Sequence, residues 1–143
     1  MGALYDIDVS RSILYMEYRG PSDPREAFDL TDRMLADTRV GPGLRLISDH
    51  SGETSASRLV EVQPLMARFV AVLRRLQSSR LAVVATKPVV VGLMNQIAAY
   101  ATLEGIEIRV FEDRKDAEAW LDDGDRAGSA SAMEADPTRS IGP

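Results

Sequence analysis

Along the first twenty positions apolar and polar residues alternate. Residues 3–9 (ALYDIDV) and 12–19 (SILYMEYR) carry apolar side chains at every second position, the period of a strand with one buried face. Ser10-Arg11 between them is a break of hairpin length. In the second run Ile13, Tyr15 and Glu17 point one way and Leu14, Met16 and Tyr18 the other. Gly20-Pro21 ends it. Asp23 follows as an N-cap, with Pro24 at the first helical position and Glu26 three residues after the cap. The period then lengthens: Ala27, Phe28, Thr31, Met34 and Leu35 share a helical face through about residue 37, and Gly41-Pro42-Gly43 stops the element.

The alternation of elements continues to residue 121. Leu44–Ser48 reads as a short strand that opens onto Asp49-His50-Ser51-Gly52 and a polar loop. Leu59, Val62, Met66, Phe69, Leu73 and Leu76 recur at steps of three and four, one stripe of a helix over 58–78 with a kink at Pro64. Arg80–Thr86 is a continuous apolar run, as expected of a parallel strand covered on both faces. A third helix is predicted over 89–104, closed by Gly105, then a strand over 106–111 and a last helix capped by Asp113 with Ala117, Trp120 and Leu121 facing inward. The order β-β-α-β-α-β-α-β-α predicts an α/β fold with a mixed, mostly parallel five-stranded sheet flanked by helices, the hairpin supplying one antiparallel edge.

Composition narrows what such a domain can do. The chain has 143 residues, a formal charge of −5, one histidine and no cysteine, so disulfides and thiol nucleophiles are excluded and a multi-histidine metal site cannot be built within it. No cofactor is expected: the glycines do not form a phosphate-binding or dinucleotide fingerprint. Residues 122–143 hold five acids against two arginines, three of the five net negative charges, and few large apolar residues. They are expected to be an acidic disordered tail behind a domain at 1–121. The nearly neutral remainder gives no electrostatic basis for nucleic-acid or membrane binding, and Arg68, Arg74, Arg75 and Arg80 read as a solvated helix face. With neither an apolar span nor a signal-peptide pattern, the expected location is cytoplasmic.

The candidate chemistry is sparse. Asp49-His50-Ser51 stands where a strand meets a loop, at the end of an open α/β sheet where ligands usually bind. It holds the residue types of a hydrolytic triad, but adjacent residues rarely present side chains to one another in relay, and the nucleophile-elbow glycines are missing. Thr54, Ser55 and Ser57 precede the long helix, where hydroxyls cap the first turn or accept a phosphate stabilised by the helix dipole. Two non-enzymatic readings follow: a protein partner or phosphorylation switch at Asp49, His50, Ser51, Thr54, Ser55 and Ser57, or a small apolar or anionic ligand held near Met66, Val70, Gly92 and Met94. An enzyme using His50 as a general base is the third.

Several segments together resemble the SpoIIAA-like branch of the STAS superfamily. They are Tyr18-Arg19-Gly20-Pro21, Gly43-Leu44-Arg45-Leu46-Ile47-Ser48-Asp49, Leu81-Ala82-Val83-Val84-Ala85, Val91-Gly92-Leu93, Arg109-Val110-Phe111 and Ala117-Glu118-Ala119-Trp120-Leu121. The resemblance spans residues 3–121. It implies a mixed sheet flanked by helices and a regulatory or binding role without catalysis, with another protein or a second copy of the chain as partner; it extends to small lipid-carrier-like folds. Antagonists of this type carry a phosphorylated serine in a D-S-S-G-L-G-like motif. Here Asp49-His50-Ser51-Gly52 has His50 in place of the first serine, and Glu53-Thr54 where Leu-Gly would follow.

Overall fold

A computed structural model describes residues 2–123. Five strands form one sheet in the order β1-β2-β3-β4-β5: β1 (Gly2–Asp8), β2 (Ile13–Gly20), β3 (Arg45–Glu53), β4 (Arg80–Val84) and β5 (Glu107–Phe111). β1 and β2 are the predicted antiparallel hairpin, with Ala3 opposite Tyr18 and Ile7 opposite Leu14; the remaining pairs are parallel. Helices α1 (Pro24–Ala36), α2 (Leu59–Leu76) and α3 (Pro88–Ala101) connect the parallel strands. A fourth helix, α4, covers residues 114–123. The predicted cap of α1 forms, Asp23 Oδ1 accepting the Arg25 N–H at 3.0 Å.

Because strand order follows chain order, the sheet winds in one direction only, and same-handed crossovers then fall on one face. The two cores show this. Leu14, Met16, Tyr18, Leu46, Leu81 and Val83 pack with α1, α2 and α3, whereas Ile13, Ile47, Ala82 and Val84 pack with Ala117, Trp120 and Leu121 of α4. A sheet that never reverses its winding has no switch-point crevice.

Two boundaries differ in ways that matter. β3 runs five residues past the predicted Ser48, so Asp49, His50, Ser51, Gly52 and Glu53 are strand. Polar residues hid the extension, since they supply no apolar period. At the other end, Asp122 and Asp123 belong to α4, and Asp122 pairs with Arg45; the rest of the predicted tail, 124–143, lies outside the described residues.

The helix α2 passes through Pro64 in its second turn. Proline cannot donate to the carbonyl four residues back, that of Val60, and both residues are exposed, so water can take that carbonyl. Pro64→Ala is expected to raise stability by about 2 kcal/mol, roughly 3 from mending the helix interior less about 1 from loosening the unfolded chain. Urea unfolding checks it; an unchanged midpoint would mean that the first turns of α2 contribute little.

Candidate functional site

A bulge in β3 builds the site. Glu17 pairs with Asp49 and Arg19 with Gly52, so two residues of β2 span three of β3. In a regular strand, residues three apart point to opposite faces; the extra residue restores His50 and Glu53 to the same face. Gly52 permits the close approach, since a Cβ there would lie 3.1 Å from the Tyr18 carbonyl oxygen and 3.2 Å from Arg19 Cγ.

On that face β3 carries a buried relay. His50 Nε2 lies 2.6 Å from Ser48 Oγ, and His50 Nδ1 lies 2.8 Å from Glu53 Oε1. A carboxylate only accepts, so His50 Nδ1–H donates to Glu53, while the donor of the Ser48–Nε2 bond follows from the tautomer. Tyr18 of β2 stacks on the imidazole at 4.5 Å between centroids and 12° between planes. Burial first, then the Glu53 charge, pushes the Tyr18 hydroxyl well above the usual phenol range, so it stays protonated and donates to Met16 Sδ at 3.7 Å.

Next to the relay lies a cavity of about 80 Å³ between the sheet and α1, α2 and α3. Leu65, Phe69, Leu93, Ile97 and Ile108 supply apolar wall, and Tyr18, His50, Glu53, Ser22 and Asp23 supply the polar part of the lining. Met66, Val70 and Met94, the predicted ligand contacts, line it. Gly92 does not: it is exposed, with open space where its Cβ would stand, because α3 turns the adjacent Leu93 and Met94 inward instead. Met66 and Phe69 of the predicted α2 stripe, and Val70 beside them, are only half-buried and line this cavity.

Asp49 lies on the other face. Its Oδ1 accepts from the Ser51 N–H at 2.9 Å and from the Ser51 hydroxyl at 2.6 Å, and its Oδ2 accepts from Arg114 Nε at 2.8 Å. The three consecutive residues Asp49, His50 and Ser51 therefore form no triad. Burial pushes the Asp49 carboxyl up, but the bonds from Ser51 and Arg114 outweigh it and hold the group below its ordinary 3.8. A carboxyl depressed by folding stabilises the protein above the unfolded value, and that contribution is lost as pH falls through the folded value. Acidification below about pH 4 should thus weaken the fold, and Asp49→Asn should flatten the decline. Urea midpoints of both proteins across the acid range test this; parallel acid limbs would count against it.

The hydroxyl segment is tied to the turn before α1 rather than to α2. Ser55 Oγ accepts the Ser22 N–H at 3.2 Å, and Ser57 Oγ lies 2.8 Å from Ser22 Oγ. Neither caps α2, whose start is held by Glu61 Oε1 accepting the Arg58 N–H at 2.7 Å. Thr54 is exposed, its N–H bonded to the Gly20 carbonyl at 2.9 Å. Ser51 is also exposed, and Lys87 Nζ donates to its carbonyl at 3.4 Å. What was predicted as one loop is thus two sites, the relay and the Ser51–Thr54 surface.

Sequence reasoning missed Ser48, Glu53 and Tyr18. Tyr18 packs in the core as the alternation of β2 implies, and its stacking on His50 leaves no mark in the sequence. Glu53 had no apolar period to place it, and its only signal was Gly52 before it, where a lone glycine in a strand suggests a bulge. Among the described residues no three His, Asp or Glu side chains converge as metal ligands would, and no helix is long and apolar enough to cross a membrane.

The architecture matches a solved structure from Shewanella loihica PV-4, an uncharacterized protein of the DUF3478 family described as having a SpoIIAA-like fold. The superposition has a TM-score of 0.54 at 17% sequence identity and covers 84% of this chain and 94% of that one. The fold is SpoIIAA-like. At that identity the likeness carries the architecture alone, and the chemistry must be read from this chain. No protein-family model and no curated protein matches the sequence. Within the SpoIIAA-like frame, the hairpin, the single-direction sheet and the helix-covered face are accounted for by the fold, while the relay and its cavity are built from residues of this chain.

Proposed function

We propose that this SpoIIAA-like domain is a non-enzymatic carrier or sensor of a small, mostly apolar molecule. The observation that carries the reading is the cavity beside the relay: mostly apolar walls with a few polar side chains are the usual composition of a small-molecule site. Catalysis is not favoured by the same residues. Both imidazole nitrogens are occupied by Ser48 and Glu53, and Ser48, the hydroxyl a nucleophile would need, is 2% exposed and absent from the cavity wall. Native mass spectrometry of the full chain purified from its own host tests the carrier reading. A stoichiometric small-molecule adduct, lost in the cavity-filling variant Val70→Phe, is expected; a protein that is empty in every preparation counts against it.

A second reading concerns the surface. Ser51 and Thr54 are exposed hydroxyls at the end of β3, and Ser55 and Ser57 tie the following segment to Ser22 at the cavity wall. This arrangement supports a regulatory role in which a protein partner docks at residues 51–57, with phosphorylation there adding charge. Tagged full-length protein recovered with a stoichiometric partner, and losing it in Ser51→Asp or Thr54→Asp, is the expected result. Retention of the partner by both variants would remove the switch.

A further inference from the structure

We propose that the cavity selects its occupant by an ammonium head group, so that the molecule it holds is a slim aliphatic amine. This rests on the cavity being a binding site and adds the chemical class of the ligand. Glu53 is 6% exposed and lines the cavity. Its Oε1 accepts from His50 Nδ1; among the described residues nothing donates to its Oε2. Yet no side-chain nitrogen or oxygen among them is both sealed from solvent and unbonded. Oε2 therefore keeps some accessible surface, and Glu53 is one of the residues lining the cavity.

The remaining polar side chains of the lining are engaged elsewhere, Ser22 Oγ lying 2.8 Å from Ser57 Oγ. His50 has spent both nitrogens inside the relay, and Tyr18 directs its proton to Met16. Asp23, the other carboxylate at the cavity wall, is engaged in capping α1. Among the described residues lining the cavity there is no Lys or Arg. A carboxylate head would therefore meet like charge, with only the Ser22 hydroxyl, already paired with Ser57, as a side-chain donor not directed into the relay or Met16, a costly burial. An ammonium would complete a pair with a carboxylate that the fold has already buried, and hydrogen bonds between charged partners are about twice as strong as neutral ones. A neutral alcohol falls between the two. An anionic head group is thus disfavoured and a cationic one takes its place.

Size narrows the class further. A cavity of about 80 Å³ is smaller than the roughly 150 Å³ that accepts benzene, which points to a chain of a few carbons rather than a ring. The experiment uses the full chain with labelled methyl groups, titrated at neutral pH with xenon, n-butylamine, n-butanol and butyrate. Xenon and butylamine should both shift the Val70, Leu93 and Met94 methyl signals. Butylamine should bind about tenfold tighter than butanol, the ratio expected for one charge-assisted bond, and butyrate should leave the signals in place. Glu53→Gln keeps an acceptor for His50 and should reduce butylamine to the level of butanol while xenon binding is unchanged. Butylamine no tighter than butanol, with xenon still bound, overturns the head-group assignment and leaves the cavity reading standing. Failure of xenon as well overturns both. If Glu53→Gln does not fold, the amine, alcohol and acid series on the unaltered chain still decides, with Val70→Phe expected to abolish every shift.

Discussion

His50→Ala is expected to destabilise the domain by about 3 kcal/mol or more, the penalty for removing one partner of a buried pair and leaving the other unpaired. The Glu53 carboxylate and the Ser48 hydroxyl, 6% and 2% exposed, lose their partner together, and Tyr18 loses the ring stacked at 4.5 Å. The distinguishing measurement is a double-mutant cycle. His50→Leu and Glu53→Leu should each be severely destabilised, whereas the double variant, with no unpaired polar group at either position, should recover a large part of the loss. Additive losses in urea unfolding would mean that the two side chains act independently, contrary to their 2.8 Å contact.

The second large effect belongs to the opposite face. Trp120 is the chain's single tryptophan and anchors α4 in the smaller core. Arg80 and Arg109 lie over its ring at 4.4 and 5.4 Å, and Phe111 meets it at 5.7 Å and 45°. Trp120→Ala is expected to cost roughly 3–5 kcal/mol, the range for truncating a buried tryptophan. Circular dichroism follows the unfolding, since the intrinsic fluorophore is removed. Hydrogen exchange separates two routes: if α4 detaches alone, its amides lose protection while the sheet keeps its own. The contacts that would break with it include the Tyr15 hydroxyl donating to Glu118 at 2.5 Å, the bond that together with burial pushes Tyr15 up to about 12. Full stability with unchanged protection in α4 would refute the anchoring role.

These two residues differ in how visible they were in the chain. Trp120 belongs to an apolar helical pattern behind the cap at Asp113, and its burial follows from that periodicity. His50 stood next to Asp49 and Ser51, and their adjacency in sequence suggested one shared site. The structure divides them, His50 to the helix-covered face and Asp49 to the face of α4, because successive residues of a strand point to opposite sides. Extending β3 past Ser48 is enough to make that separation. Gly92 failed for a related reason: a helical segment in which nearly every residue is small or apolar does not declare which side is buried.

The chain by itself determined the order of elements, the antiparallel hairpin, the cap at Asp23 and the buried stripes. Each of these depends on contacts within a few residues or on a period of 2 or 3.6 that repeats through an element. The tertiary structure alone decided that Glu53 would face His50, that Tyr18 of a neighbouring strand would cover the imidazole, and that space would remain beneath α1, α2 and α3. One inserted residue in β3 reverses the facing of everything after it, and an unfilled volume between packed elements belongs to no single segment. Neither leaves a periodic trace in the sequence, because both arise from how elements meet and not from what each one contains.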